Sequence, residues 1–239
     1  MRYLDLTLPS PEENLALDEA LLLQAEAAEP PFECLRLWEP SDPMVIVGRS
    51  SQVAREVHLH ACRERGIPIL RRGSGGAAVV AGPGCLMYAV VLSLRSRPEL
   101  RAIDAAHCFV LNTLVEGLGA LVPDIAARGT SDLAWGDRKF SGNSLRVKRD
   151  TLLYHGTLLY DFPLPLVELC LAPPPRQPSY RGGRSHGAFI ANLPVSGAEL
   201  RRVLVSAWSA AEPLADWPAE LMRSLAQTKY ACRDWNERF

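Results

Sequence analysis

The residues of this chain best suited to chemistry fall in three segments between positions 71 and 159. The first, Arg71-Arg72-Gly73-Ser74-Gly75-Gly76-Ala77-Ala78, follows the apolar run Ile67-Pro68-Ile69-Leu70 and reads as an anion cradle. Glycines let backbone N–H groups approach an oxygen-rich ligand without a Cβ in the way, and arginine forks grip phosphate or carboxylate in bidentate fashion. The second runs from Ser131-Asp132-Leu133 through Asp137-Arg138-Lys139-Phe140-Ser141-Gly142 to Ser144. A lysine ammonium projecting from a strand at Lys139 would neutralise charge developing on a phosphate or carboxylate during acyl transfer. Asp132, at the start of the same strand pair, is a candidate for Mg²⁺ or for an adenine or ribose edge. The third is Tyr154-His155-Gly156-Thr157-Leu158-Leu159, whose histidine we read as a pocket-wall residue. Neither a Walker-type loop nor a Gly-x-Gly-x-x-Gly turn opening a helix is present, which argues against P-loop and Rossmann nucleotide sites. His58 and Cys62, at i,i+4, lack a third metal ligand nearby.

These segments need strands and turns to hold them. A strand is expected over 2–7, and Ser10-Pro11-Glu12-Glu13 supplies an N-cap, an N1 proline and an N3 glutamate for a helix to about residue 28. Leu35 and Leu37 alternate with charged residues, and Met44-Val45-Ile46-Val47-Gly48 is continuously apolar, so two strands are expected, paired most simply as a hairpin through the Pro40–Pro43 turn. Residues 52–65 read as one amphipathic helix, 67–72 and 86–94 as strands, 101–119 as a helix and 124–161 as strand-rich. Pro173-Pro174-Pro175 ends a short helix and opens a polar loop to Gly187. Ser196-Gly197-Ala198-Glu199 is a second capping box, for a helix to about 209, and another helix is expected around 218–228. Hairpins mixed with separate helices predict an α+β fold on a mixed, largely antiparallel sheet flanked by helices.

With 239 residues, 48% hydrophobic and 22% charged, the chain can bury a substantial core as one domain. A net charge of −1 offers no bulk attraction for nucleic acid, so phosphate binding must be local. Six scattered cysteines without a Cys-x-x-Cys pair signal neither a zinc ribbon nor a disulfide framework and suit reduced thiols in the cytoplasm. No stretch approaches a membrane span.

Taken in order, the segments resemble the lipoate-protein ligase A and lipoyl/octanoyltransferase superfamily, whose catalytic domain is also related to biotin protein ligase. The resemblance runs from Asn14-Leu15-Ala16-Leu17-Asp18-Glu19 through Val45-Ile46-Val47-Gly48-Arg49, Arg71 to Gly76, Ser131-Asp132-Leu133, Arg138-Lys139-Phe140-Ser141-Gly142 and His155-Gly156-Thr157 to Lys229-Tyr230 and Trp235-Asn236. It implies ATP- and Mg²⁺-dependent activation of lipoate, or a related medium-chain acid, as the acyl-adenylate, followed by attack of a carrier lysine. The carrier would be a lipoyl domain or a glycine cleavage H-like protein. By the same resemblance Arg72, Ser74, Gly75 and Gly76, with Arg71 and Ala77 beside them, hold the adenylate. Lys139 contacts the carboxyl–phosphate centre, an effect of about 3–4 kcal/mol when well placed. Asp132 lies by the nucleotide and Mg²⁺, and Ser141, Gly142, His155 and Gly156 line the pocket.

The chain departs from that pattern at three places. Ala81-Gly82 and Cys85 stand where the usual ligase has a His-Asp pair and an Asn, and Ser131 stands where an Asn precedes the aspartate. The sequence ends at Phe239, just past Trp235-Asn236, where longer ligases continue into an accessory domain, so residues 1–239 are expected to form the catalytic domain alone, with a separate accessory subunit as a further partner. A cysteine-dependent octanoyl or lipoyl transferase is the competing reading, but the cysteine positions of two transferase branches hold Leu152 and Ala127, leaving only Cys85 near the glycine turn. A non-catalytic lipoyl-binding module is the third. The loop Arg176 to Arg184 is expected to dock an acidic carrier through Arg181 and Arg184, or to cover the ligand.

Overall fold

Alternating apolar runs build two sheets. The computed structural model describes residues 1–239. Its strands are β1 (Arg2–Asp5), β2 (Cys34–Trp38), β3 (Met44–Val47), β4 (Ile69–Arg71), β5 (Val79–Ala81), β6 (Cys85–Ser93), β7 (Ile125–Arg128), β8 (Asp132–Trp135), β9 (Arg138–Val147), β10 (Thr151–Leu159) and β11 (Glu212–Pro213). The helices are α1 (Pro11–Ala27), α2 (Val53–Glu56), α3 (Leu59–Glu64), α4 (Ile103–Gly119), α5 (Pro165–Cys170), α6 (His186–Phe189), α7 (Gly197–Ala207), α8 (Ala219–Leu225) and α9 (Arg233–Asn236). The large sheet has the order β11-β1-β2-β6-β10-β9-β8-β7, antiparallel from β2 through β7, with β1 parallel to both its neighbours. The small sheet has the order β4-β3-β5. This is the α+β arrangement expected.

The two-residue period sorts β6 between two cores. Cys85, Met87, Ala89 and Val91 face the side covered by α1, while Leu86, Tyr88, Val90 and Leu92 face the side covered by α4 and α7. Helix α1 starts at the expected capping box, Ser10 with Glu13, and is enclosed along most of its length. Enclosure forces its polar residues Asn14, Asp18 and Glu19 into the interior. A buried carboxylate must be paired and hydrogen-bonded. Asp18 meets Arg36 of β2 at 2.6 Å, and that guanidinium also donates to Asn14 Oδ1 at 2.8 Å. Glu19 collects Arg146 of β9, Lys229 and the Tyr230 hydroxyl, each at 2.6 Å. One helix thus ties both halves of the large sheet and the C-terminal segment together.

Four expectations change. β2 and β3 do not form a hairpin: β2 lies between β1 and β6, and β3 is the centre of the small sheet. Met44–Val47 is buried at every residue, the signature of a strand covered on both faces, and the Pro40–Pro43 connection moves the chain between sheets. The helix expected over 52–65 is two short helices, because Val57 bridges to Leu171 and His58 N–H donates to the Cys170 carbonyl at 2.8 Å. β5 was not expected, being three residues long and completed only by its pairing with β3. The helix expected near 218–228 is α8 followed by a π-helical turn over Ala226–Tyr230. No helix is long and apolar enough to cross a membrane.

Burial alone would raise the Glu19 carboxyl, but hydrogen bonds from Lys229 and Tyr230 and the charges of Lys229 and Arg146 outweigh it and hold the group below the usual range. A carboxylate depressed in the folded state contributes stability in full above its unfolded value of about 4.3 and loses it as pH falls through the folded value. Glu19→Gln is therefore expected to cost about 2 kcal/mol at pH 7, with the gap to wild type closing as pH falls below about 4, measured by urea denaturation across pH. A gap independent of pH would contradict this pairing.

Candidate active site

The glycine turn has its place because of strand order. β4 runs parallel and β5 antiparallel to the intervening β3, so the connection from Arg72 to Ala78 must cross the C-terminal end of β3. The crossing is pinned there: Arg72 N–H donates to Val47 O at 3.0 Å, and Arg49 N–H to Ser74 O at 2.8 Å. Gly76 takes φ 88°, a region costly for a residue with a Cβ. The Arg72 guanidinium is spent inside the turn, on Ser74 Oγ and on the carbonyls of Ile46, Gly75 and Ala77. Arg71 contributes nothing to the cavity. It is fully buried and donates to the carbonyls of Gly48, Ser51, Trp235, Asn236 and Arg238, clamping the C-terminal segment. The expected arginine cradle is corrected at Arg71, which lies off the cavity; Arg72 braces the turn from the cavity wall. The backbone N–H groups of Gly73 through Ala77 meet no protein acceptor, and those of Gly76 and Ala77, on the cavity wall, are left available to an anion.

Across the cavity, Lys139 of β9 places Nζ 2.7 Å from Asp132 Oδ1 of β8. A side chain at Gly142 would close that path, since its Cβ would fall 2.8 Å from Nζ. The other Asp132 oxygen accepts from the Tyr180 hydroxyl at 2.9 Å. Burial and the Asp132 carboxylate push that hydroxyl well above its ordinary value, so it remains a donor. Asp132, expected beside the nucleotide and Mg²⁺, has one oxygen against the Lys139 ammonium and the other accepting from Tyr180. A Mg²⁺ at this carboxylate would take most of its ligands from nucleotide phosphates and water. Tyr180 belongs to the loop expected to dock a carrier or to cover the ligand, and the loop folds onto the site. Arg181 is 3% exposed and stacks on Phe189, while Arg184 pairs with Asp137 at 2.8 Å. Arg181 cannot present a docking charge; it walls the cavity.

On β10, His155 Nε2 lies 2.5 Å from Ser74 Oγ, and its Nδ1 lies 3.4 Å from Asp18. Burial would raise the Asp18 carboxyl, but Arg36 and His155 outweigh it and hold it low. Gly156 is required by packing: a Cβ there would fall 1.8 Å from Asn143 Oδ1, which accepts the Tyr88 hydroxyl at 2.5 Å. Cys85 is fully buried beside Met87, and burial, reinforced by Glu39, pushes its thiol up to about 12. It is no nucleophile, and no cysteine lines the cavity.

These elements enclose a cavity of about 350 Å³, walled by Arg72, Gly76, Ala77, Asp132, Lys139, Gly142, His155 and Gly156 among others. It shares Val79, Lys139 and Gly142 with an adjoining chamber of about 120 Å³, lined mainly by apolar residues such as Val80, Phe140, Leu159 and Ile190 and including Ser141. Arg71, Ser74 and Gly75 are not on either wall. Sequence reasoning assigned no role to Asp18, Tyr180 or Asn143. Asp18 had a signal, being one of two adjacent acids, Asp18-Glu19, within an apolar helical stretch.

Residues 10–203 match the family model described as the lipoyl protein ligase A/B catalytic domain. A curated Aeropyrum pernix protein provisionally named lipoate-protein ligase A is 35% identical over 150 residues, covering 63% of this chain and 54% of that protein, so the chain spans about half the length of the curated relative it matches. Among solved structures, the chain resembles a bi-partite lipoate protein ligase described with its E2 lipoyl domain from Thermoplasma acidophilum, with 24% identity, a TM-score of 0.84 and coverage of 99% of this chain and 95% of that one. A T. acidophilum protein provisionally named a lipoate protein ligase, with bound lipoic acid, gives 23% identity, a TM-score of 0.81 and coverage of 100% and 99%. A lipoate-protein ligase A bound with ATP gives 24% identity, a TM-score of 0.78 and coverage of 99% and 98%. At these identities the structures establish the fold.

Two glycine substitutions separate site from scaffold. Gly142→Ala meets only the end of a flexible lysine, so it should change stability by less than about 1 kcal/mol while displacing the ammonium. Gly156→Ala meets Asn143 and the Gly142 carbonyl and should cost roughly 3 kcal/mol. Urea denaturation of both variants checks the contrast, and equal losses would contradict it.

Proposed function

We propose that this chain, which belongs to the lipoyl protein ligase A/B catalytic-domain family, is an ATP-dependent lipoate-protein ligase. The observation that carries the reading is a polar cavity, with unspent turn N–H groups on one side and an ammonium on the other, beside an apolar chamber. That shape suits a ligand with an anionic head and an aliphatic tail, as lipoate and its adenylate have. Relatives solved with lipoic acid, with ATP and with an E2 lipoyl domain support the same substrates and a lipoyl-type carrier here.

In the first half-reaction a carboxylate oxygen of lipoate attacks the α-phosphorus of ATP, the bond to the bridging oxygen breaks, and pyrophosphate leaves. ATP would bring Mg²⁺ on its phosphates, with Asp132 the carboxylate of this chain that would hold the metal complex. Lys139 orients the carboxylate and neutralises charge at the phosphorus, and the turn N–H groups bind the phosphate oxygens. In the second, the carrier lysine amine attacks the acyl carbon, the bond to AMP breaks, and the amine loses a proton as the amide forms. Asp132 and Tyr180 hold Lys139 in line without adding a formal charge to the cavity beyond that pair. The T. acidophilum relative is bi-partite, and a second polypeptide completing the site is part of this reading. So is a cytoplasmic location, consistent with six free thiols. The thiol-transfer alternative has no support in the cavity walls.

Lipoate-dependent ATP/pyrophosphate exchange tests the reading, with octanoate and biotin as comparison acids. Wild-type exchange should favour lipoate, and Lys139→Ala should lower it about 100- to 1,000-fold. Lipoate binding without exchange, even with a second subunit added, would favour a binding module; unchanged exchange in Lys139→Ala would remove the assigned role of the ammonium.

A further inference from the structure

Ser74, His155, Asp18 and Arg36 form a continuous chain of polar contacts from the glycine turn to the interior. Ser74 Oγ accepts from Arg72 Nε at 3.1 Å and lies 2.5 Å from His155 Nε2. Asp18 Oδ2 lies 3.4 Å from Nδ1 on the opposite side of the ring, and Asp18 Oδ1 accepts from Arg36 Nη1 at 2.6 Å. A carboxylate can only accept, so it selects the neutral imidazole with hydrogen on Nδ1, which leaves Nε2 to accept the Ser74 hydroxyl. In the other tautomer Ser74 would face two donors, and its own hydrogen would have no acceptor at a site only 2% exposed. These residue types also make up the acyl-transfer triad of serine hydrolases. Here Ser74 lies behind the turn and off the cavity wall, so the chain positions rather than attacks.

We propose that Asp18, backed by Arg36, is the positioning residue of the site. It sets the His155 tautomer, His155 holds the Ser74 hydroxyl, and the turn is locked in the form in which Arg72 collects its carbonyls and its N–H groups stay unspent. The tautomer assignment is independent of the reaction; the effect on lipoate affinity rests on the ligase reading above.

The test is long-range ¹H–¹⁵N correlation NMR of the full chain labelled at histidine nitrogen, with His155→Gln for assignment and lipoate titration by calorimetry. Wild type should show hydrogen on Nδ1, and Ser74→Ala should keep it there, because Asp18 sets the tautomer. Asp18→Asn should move it to Nε2, since Arg36 retains the amide oxygen and turns the amide N–H toward Nδ1, and should raise the lipoate Kd about tenfold. Hydrogen on Nε2 in wild type, a change in Ser74→Ala, or an unchanged tautomer in folded Asp18→Asn overturns the relay. If Asp18→Asn does not fold, wild type and Ser74→Ala decide the tautomer assignment. A flipped tautomer with unaltered lipoate affinity overturns the positioning role. A wild-type protein with the expected tautomer that binds no lipoate overturns the ligase reading and leaves the relay standing.

Discussion

Helix α1 carries two adjacent carboxylates, Asp18 and Glu19, into the interior, and the arrangement around the cavity follows from satisfying them. Buried anions without partners would cost more than a domain's net stability allows. Asp18 draws Arg36 from β2 and His155 from β10; Glu19 draws Arg146 from β9 and the Lys229-Tyr230 pair from the C-terminal segment. Adjacent on a helix, the two side chains point in directions about 100° apart. One therefore organises the site's rear wall while the other fastens the segment that Arg71 also clamps.

The division of labour between side chain and backbone follows from that frame. Arginines next to a glycine turn invite a ligand-binding role, yet carbonyl oxygens gathered at the ends of β3 and the C-terminal segment need donors first. Once Arg71 and Arg72 meet that need, the turn's N–H groups are the ones left over. Lys139 is arranged differently: its ammonium meets a single carboxylate at the cavity edge, and that carboxylate is shared with Tyr180. A ligand anion can approach the ammonium without dismantling the scaffold.

Local signals in the chain were the legible ones. Both capping boxes, Ser10 with Glu13 and Ser196 with Glu199, start helices where expected, because the partners lie three residues apart and no distant contact is required. The long strands β6 and β10 carry enough apolar residues to declare themselves, and the glycine turn, Lys139, Asp132 and His155 were recognisable as site material from residue type and spacing. The break after α2 was not legible, since it is made by Leu171 and Cys170, over a hundred residues away. Nor was the small sheet, whose β5 exists only through pairing with β3.

The amino-acid sequence by itself determined the capped helices, the long strands and the segments that supply the cavity, because capping, periodicity and turn chemistry act over a few residues. Tertiary structure alone decided what those side chains do. Arg71 and Arg72 are neighbours of one type, yet Arg71 spends donors on carbonyls 164 to 167 residues further along, while Arg72 closes its own turn. The difference arises because strand register turns consecutive side chains to opposite faces, and which face meets the C-terminal segment is set by packing at long range.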